Sequence, residues 1–313
     1  MRLRTSGRGA RNEGSKGAVV PSLSRPPSRI YREGIVDSTR WRAFAPRDGD
    51  ILVNTPPKSG TTWTQTILAL LISGDPDVVP DLSMQSPWIE IHFRPLEEVM
   101  ARLEQQTRRR HVKSHTPFDG IPLWDGLRYI AVYRHPLDVH FSYRRHVANM
   151  HPDIHGQYYP EDGEECFRIF LEGEHEDAAS LRSIVEHYRQ SLALEPREDL
   201  LRLHYADMVR DLLAATARIA AHVGIEHPPD RMAALVEAAR FDNMKANADR
   251  FAPSAGQGFW KDDAAFFDSG TSNKWEGWLD AAQLAAYDAH MDALLPDPAA
   301  RVWLEWGAVG PTS

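Results

Sequence analysis

The chain has 313 residues, which at about 150 residues per domain fits one large domain or two small ones. Apolar residues make up 42% of it and charged residues 26%, which excludes a wholly disordered chain. The longest unbroken apolar run, Ile67 to Ile72, is far shorter than the ~20 residues of a membrane-spanning helix, so we predict no membrane span. A single cysteine, Cys166, excludes an intramolecular disulfide and any cysteine-rich metal site, and it agrees with a cytoplasmic location.

The net charge of −8 is unevenly distributed along the chain. Residues 1–33 hold eight basic and two acidic residues, so the remainder of the chain carries −14. An acidic body lacks the broad basic face that nucleic acid requires, and we expect no nucleic-acid partner. The basic segment is rich in Ser, Gly and Pro, which predicts a disordered tail over 1–35 ahead of a single domain over 36–313. It lacks the apolar run of a secretory signal, although a transit peptide or a start codon placed too early would look similar.

Beyond this tail, short apolar runs alternate with helical patterns. Strands are predicted at 51–54, 110–113, 128–133 and 200–204. Helices are predicted at 63–72, 95–106, 136–150, 206–223, 229–240 and 281–295. Strands separated by helices at this spacing indicate an α/β fold with a mainly parallel sheet. In such sheets, ligands bind at the carboxyl ends of the strands.

The first of these strand ends has the composition of an anion-binding loop. A lysine, a glycine and three hydroxyl residues follow the strand at 51–54: Lys58, Ser59, Gly60, Thr61 and Thr62. Gly60 allows the backbone to approach an anion, Lys58 supplies positive charge, and the amides of the next helix would point at the same place. The order differs from the nucleoside-triphosphatase loop, in which the glycines precede the lysine. The simpler alternative is a threonine that caps an ordinary helix.

Two further strand ends carry groups suited to catalysis or phosphate binding. Lys113-Ser114-His115 ends the second strand, and a histidine with an ordinary pKa of about 6.5 can act as a general base. Arg134 ends the third strand, and Ser142 lies two turns into the following helix. An arginine with a hydroxyl suits a phosphate group. The alternative for Arg134 is a surface ion pair with Asp138.

Four segments together resemble the cytosolic-type sulfotransferases, which use 3′-phosphoadenosine-5′-phosphosulfate (PAPS). The family's phosphosulfate loop, about Tyr-Pro-Lys-Ser-Gly-Thr-Thr-Trp, is matched by residues 56–63. Its Lys-Thr/Ser-His-x-Pro segment is matched by 113–117, and its Arg-Asn-x-x-Asp-x-x-x-Ser-Tyr segment by 134–143. Its Tyr-Glu-Asp-Met segment appears as Tyr205-Ala206-Asp207-Met208. The order and spacing of the motifs extend the resemblance from about residue 48 to 305.

This resemblance implies a three-layer, P-loop-like α/β domain that transfers a sulfuryl group from PAPS, without a metal ion, to a hydroxyl of a small apolar or aromatic acceptor. Lys58 would offset charge on the leaving oxygen, His115 would deprotonate the acceptor, and Lys113 would steady the transferring oxygens. The donor would be bound by Lys58, Ser59, Gly60, Thr61, Thr62, Trp63, Arg134, Ser142, Tyr205, Phe241 and Gly270. Trp63 and Phe241 would stack on the adenine, with core packing as the alternative for both.

The sequence departs from the family pattern near its C-terminus. The family's Arg-Lys-Gly clamp for the 3′-phosphate is replaced by Asp268-Ser269-Gly270. Lys261 or Lys274 would then substitute, or Arg134 would hold that phosphate together with Ser142 and backbone amides. The family's C-terminal dimer motif is not evident, which leaves the oligomeric state open.

Two more segments bear on the acceptor, and two other functions fit part of the pattern. By resemblance, residues 85–93 border the acceptor site, with Trp88, Ile89 and Phe93 favouring an apolar acceptor. Residues 150–159 would form a lid or an exposed loop. The alternatives in function are a P-loop-type kinase using ATP and magnesium, and a non-catalytic nucleotide-binding relative. The kinase motif has an upstream glycine that this chain lacks.

Overall fold

The computed structural model describes residues 20–78, 81–92, 94–151, 160–174, 179–253, 256, 258–267 and 269–310. Its strands are β1 (Leu23–Arg25), β2 (Arg32–Glu33), β3 (Val36–Asp37), β4 (Ile51–Asn54), β5 (His111–Ser114), β6 (Leu123–Trp124), β7 (Arg128–Tyr133) and β8 (Leu200–His204). Its α-helices are α1 (Thr61–Ser73), α2 (Leu82–Gln85), α3 (Leu96–Glu104), α4 (Pro136–Ala148), α5 (Gly163–Glu172), α6 (Leu181–Leu192), α7 (Tyr205–Arg210), α8 (Leu212–Val223), α9 (Pro229–Ala238), α10 (Phe241–Ala246), α11 (Ala248–Phe251), α12 (Ala281–Leu294) and α13 (Pro298–Trp306). Short 3₁₀ helices cover Ser38–Ala43, Ala264–Phe266 and Gly307–Val309.

A parallel sheet with the strand order β5-β4-β7-β8 lies at the centre of the fold. Ile51 at the start of β4 pairs with His111 of β5 on one side and with Arg128 of β7 on the other. α1 and α8 contribute to the apolar cluster on one face, and α4, α5, α6 and α12 contribute to the cluster on the other. The prediction of a three-layer α/β fold with a mainly parallel sheet is confirmed.

The two apolar clusters follow from the alternation of side chains along the strands. Ile51 and Val53 of β4 pack with Ile130 of β7 in the cluster that contains α1. Leu52 of β4 and Tyr129 of β7 belong to the opposite cluster. Successive strand residues point to opposite faces, so a strand that is apolar at each position is buried on both sides.

Two differences from the predicted helices have local causes. The helix predicted over 206–223 is divided into α7 and α8 at Asp211, because its carboxylate accepts a hydrogen bond from the Ala214 amide and caps α8. The pattern did not predict α5 and α6, which are capped by Asp162 and Ser180. No helix in the described part of the chain is long and apolar enough to cross a bilayer.

The N-terminal segment differs from the disordered tail predicted over 1–35. Residues 1–19 lie outside the described residues, but β1 pairs antiparallel with β6. Arg25 donates to the Phe118 carbonyl at 2.6 Å, and the Tyr31 hydroxyl donates to Asp119 at 2.7 Å. Tyr31 is only 3% exposed. The composition of a segment predicts disorder only on average over its length. Here one buried ring and a short strand are enough to attach residues 20–35 to the domain.

Candidate active site

The strands of the parallel sheet each lead into a segment that the sequence singled out. Lys58 lies in the loop after β4, His115 directly follows β5, Arg134 directly follows β7, and Tyr205 directly follows β8. The connection from β4 leads to β5 on one side, whereas the connection from the adjacent strand β7 leads to β8 on the other side. A crevice forms at such a switch point, on the carboxyl edge of the sheet, where open α/β folds bind their ligands. The structure therefore brings the predicted segments to one edge.

The loop between β4 and α1, residues 55–60, is called the Lys58 loop below. Lys58 (φ 61°) and Gly60 (φ 105°) both adopt left-handed backbone conformations. Gly60 is the N-cap of α1, and no side chain caps the helix, so the alternative of a threonine cap is wrong. A Cβ at Gly60 would lie 3.1 Å from the Tyr205 ring, which leaves little room for a side chain. The first amides of α1 therefore face the site without a capping side chain.

The hydroxyl residues of this region differ in their contacts with the protein. Ser59 is fully buried, with its Oγ 3.5 Å from the Pro57 carbonyl oxygen. The Thr61 hydroxyl is hydrogen-bonded to that of Thr55, which holds the helix start against the end of β4. The Thr62 side chain is half-buried. Of these hydroxyl side chains, that of Thr62 is the most accessible.

The Lys58 ammonium is held by groups from two other elements. Its Nζ lies 3.0 Å from Nδ1 of His146 in α4 and 4.8 Å from the centre of the Phe266 ring. Since an ammonium can only donate, His146 Nδ1 accepts, and the neutral ring carries its proton on Nε2. Burial first, and then the charge of Lys58, hold the pKa of His146 well below its ordinary value.

His115 has the opposite tautomer. Its Nδ1 lies 2.7 Å from the Thr55 carbonyl oxygen. A carbonyl only accepts, so Nδ1 carries the proton and Nε2 keeps its lone pair. The Trp88 ring packs edge-on against the imidazole, with the ring centres 4.9 Å apart. Burial first, and then the charge of Lys113, hold the pKa of His115 well below its ordinary value, so the ring is neutral at pH 7.

Lys113 lies beside His115 on the same side of the sheet edge. Its ammonium is 4.5 Å from the centre of the Trp88 ring. Burial lowers the pKa of Lys113 to about 8, although the Glu90 carboxylate acts in the opposite direction. Glu90 is fully buried and accepts hydrogen bonds from Ser114 and Trp41. Lys113 is therefore a cation at neutral pH, but desolvation makes it easier to deprotonate than an exposed lysine.

His146 is a residue that the sequence analysis missed. It lies four residues after Ser142 and eight after Asp138, so the three share one face of α4. Asp138 and Ser142 are buried, and His146 reaches Lys58. The signal that could have found His146 is its helical spacing from Ser142, a residue already assigned to the site.

Arg134 is buried, and its contacts are with protein groups on both sides of the crevice. Its Nη1 donates to the Lys58 carbonyl at 3.3 Å, and its Nη2 donates to the Thr271 carbonyl at 2.8 Å. Its Nε lies 3.8 Å from Asp138, and its guanidinium lies 4.2 Å from the centre of the Tyr205 ring. Arg134 and Asp138 are 4% and 0% exposed, so the alternative of a surface ion pair is wrong.

The segment 269–274 is fastened to the site by Asp138. The Asp138 carboxylate accepts the amides of Asn273 at 3.0 Å and Lys274 at 2.7 Å. The Lys261 ammonium instead donates to the Ala148 carbonyl at 2.7 Å, at the end of α4. Lys261 is thus bonded to the helix end.

Of the two residues expected to stack on the adenine, Phe241 lies against this segment and Trp63 packs against Tyr205. Gly270 (φ 66°) leaves room for Phe241, because a Cβ there would lie 2.7 Å from the ring. Trp63 donates from Nε1 to the Ala239 carbonyl at 2.7 Å and packs edge-on against Tyr205. Asp268, at the altered clamp, lies outside the described residues.

Only part of the segment expected to border the acceptor, residues 85–93, is found at the site. Trp88 contacts both Lys113 and His115, as described above. Ile89 is fully buried in the core cluster, so its expected place beside the acceptor is wrong. Phe93 and residues 152–159 of the possible lid lie outside the described residues. Across the site, Trp260 and Phe266 surround His146, with ring centres 4.8 and 5.7 Å from it.

Comparison with known proteins agrees with this arrangement. Residues 48–298 match the sulfotransferase domain family. A glycolipid sulfotransferase of Mycobacterium tuberculosis (strain ATCC 25177 / H37Ra) is 33% identical over 90% of this chain and 95% of its own. Its counterpart from Mycobacterium bovis is 32% identical with the same coverage. A mouse sulfotransferase complexed with PAP has a TM-score of 0.67 at 20% identity, covering 88% of this chain and 94% of its own.

The chain belongs to the sulfotransferase family. It is a PAPS-dependent sulfotransferase, as its motifs led us to expect, and the kinase alternative is not favoured.

The residues at the sheet edge fit this donor. Phosphate and sulfate groups need hydrogen-bond donors, and α1 begins there without a capping side chain. Arg134 Nε is buried and lacks a hydrogen-bond acceptor among the described residues. Within the same residues, no group of three or more side chains is placed to hold a metal ion.

Proposed function

We propose that this sulfotransferase transfers the sulfuryl group of PAPS to a hydroxyl of an acceptor with an apolar body, with His115 as general base. The observation that carries the proposal is the hydrogen bond from His115 Nδ1 to the Thr55 carbonyl. It fixes the tautomer that leaves Nε2 able to accept a proton. The lone pair of His146 Nδ1 is already occupied by Lys58, so the two histidines have different roles.

Each basic residue then has a distinct part in the transfer. PAPS supplies the sulfuryl group; the bond from sulfur to the acceptor oxygen forms while that to the 5′-phosphate oxygen breaks. His115 Nε2 takes the proton of the acceptor hydroxyl. Lys58 and the amides at the start of α1 stabilise the negative charge that grows on the leaving oxygen. Lys113, held over Trp88, interacts with the oxygens of the transferring group.

In this proposal the remainder of the donor site consists of Arg134, Ser142, Tyr205, Phe241, Gly270 and Trp63. Arg134 joins the Lys58 loop to the segment 269–274. The Tyr205 ring packs against both the Arg134 guanidinium and Gly60. Phe241, which packs on Gly270, would stack on the adenine.

An apolar acceptor is supported by the aromatic rings on both sides of the basic groups. Trp88 packs on His115 and Lys113, and Trp260 and Phe266 pack on His146. Such rings bind apolar surface, while the basic groups select one reactive hydroxyl. The mycobacterial relatives are named glycolipid sulfotransferases, so we propose a lipid-linked sugar hydroxyl as the first acceptor to test.

The test is transfer from radiolabelled PAPS to three acceptors: a glycolipid with free sugar hydroxyls, a steroid alcohol and a simple phenol. We expect the glycolipid to be sulfated with the highest kcat/KM. His115→Ala should lower kcat by about 10²-fold, at the lower end of general-base effects, and leave the affinity for adenosine 3′,5′-bisphosphate within about twofold.

The matched control is His290→Ala, because His290 bonds only the Ala286 carbonyl within its own helix among the contacts described. In the wild type, activity should fall on acidification only below the ordinary histidine range, because the pKa of His115 is lowered. Full turnover in His115→Ala, or an acid limb unchanged in that variant, would show that another group takes the proton.

A further inference from the structure

His146 stands out because it is a buried histidine at the reacting edge that no step of the proposed reaction uses. Its one hydrogen bond among the described contacts is to the Lys58 ammonium, 3.0 Å away. The ring is enclosed by Trp260 and Phe266, and the Tyr143 ring centre lies 6.5 Å away. This aromatic packing fixes the ring and therefore the direction of its Nδ1 lone pair.

Lys58 needs such a partner because its side chain is long. Four methylene groups give a lysine side chain several rotamers of similar energy. Its backbone, at φ 61°, sets where the side chain leaves the loop but not where the ammonium lies. Phe266 provides a ring face 4.8 Å from Nζ, which attracts the charge without fixing its direction. The hydrogen bond to His146 adds a direction as well as a distance.

We propose that His146 is a positioning residue for Lys58, holding its ammonium by a hydrogen bond at the place where leaving-group charge develops. The inference rests on the proposed function, since it assigns a partner to the lysine of that reaction. One proton of the ammonium is directed at His146 Nδ1, and the other two remain for contacts elsewhere.

The face of α4 that carries His146 supports this assignment. Asp138, two turns earlier, holds the segment 269–274 by its Asn273 and Lys274 amides. The same helix face thereby fixes one segment of the donor site at one end and Lys58 at the other. A rigid helix is suited to this, because an error of about 1 Å in a catalytic group can cost about 10²-fold in rate.

The test compares His146→Phe, which keeps an aromatic ring but has no acceptor, with His146→Asn, whose amide oxygen lies near the place of Nδ1. We expect His146→Phe to lower kcat for sulfuryl transfer by about tenfold. Its KM for PAPS and its affinity for adenosine 3′,5′-bisphosphate should stay within about twofold. His146→Asn should recover most of the lost kcat.

A second measurement reports the contact without relying on activity. In protein labelled with ¹⁵N-lysine, the Lys58 ammonium signal, assigned with Lys58→Arg, should be sharp in the wild type and in His146→Asn. It should be broadened by solvent exchange in His146→Phe.

Wild-type kcat in His146→Phe, or an unchanged Lys58 signal in that variant, would overturn the proposal. A parallel loss of nucleotide affinity and kcat would also overturn it, because the role would then be structural. If the wild type transferred sulfuryl to no acceptor, the proposed function would fail instead, and the ¹⁵N signal would still decide whether His146 holds Lys58.

Discussion

The two ends of the proposed donor site are built differently. The phosphosulfate end consists of the Lys58 loop with Lys113, His115 and His146. It contains several basic side chains, which contact aromatic rings, a carbonyl and one another. The end proposed for the 3′-phosphate consists of Arg134, Asp138, Ser142 and the segment 269–274. Its guanidinium is already bonded to two carbonyls and lies beside a carboxylate.

This difference indicates at which end the basic side chains act on the reacting groups and at which end they hold the protein structure together. At the phosphosulfate end, burial and the neighbouring lysines hold the pKa values of the two histidines low, and burial, partly offset by Glu90, holds that of Lys113 near 8. The positive charges there can therefore act on a bound anion. At the 3′-phosphate end, Arg134 is compensated by Asp138 and joins two loops. We therefore expect substitutions at the first end to affect rate most, and those at the second to affect selectivity.

The largest effect is expected for Lys58→Ala. Removing the cation from the position of the leaving oxygen should lower kcat by about 10³-fold, at the upper end of the effects of single charge-stabilising donors. Single-turnover transfer from PAPS measures it. Arg189→Ala, which removes one exposed charge from α6, is the control and should behave as wild type. Turnover within tenfold of the wild type in Lys58→Ala would contradict the contrast between the two ends.

A smaller effect on the rate is expected when Lys113 loses its proton. Its pKa of about 8 in the free enzyme means that it is charged below this pH and loses its charge above it. The value of kcat/KM should therefore fall above pH 8, approaching tenfold per pH unit. Lys113→Arg stays charged and should lack this alkaline limb, whatever its absolute rate. The same limb in Lys113→Arg would assign the ionisation to another group.

The smallest effect on rate is expected for Arg134→Ala, whose consequence should be in selectivity. The preference for PAPS over its 3′-dephosphorylated analogue, as a ratio of kcat/KM values, should fall by about tenfold, or ~1.4 kcal/mol. Arg168→Ala, which breaks an exposed ion pair of the same helical spacing with Glu172, is the control. Undiminished selectivity would assign the 3′-phosphate to Lys274 or to the backbone around Gly270.

The sequence was sufficient for the elements whose signals are local. β4, β7 and β8 have the predicted bounds, and α1 was placed within two residues, because short apolar runs and an αL glycine at the end of a helix are local features. The strand ends at Lys58, His115 and Arg134 were identified for the same reason. Four motifs in the right order gave the family before any contact was known.

The tertiary structure decided the contacts between residues far apart in the chain. The tautomer of His115 depends on a carbonyl 60 residues away, and the partner of Lys58 lies 88 residues away. Burial of Ile89, and attachment of residues 20–35 through Tyr31, likewise depend on neighbours that local patterns do not record. Residue types and spacing set which chemistry is available, whereas desolvation and hydrogen-bond partners, which exist only in the folded chain, set which nitrogen can accept a proton and which lysine is held in place.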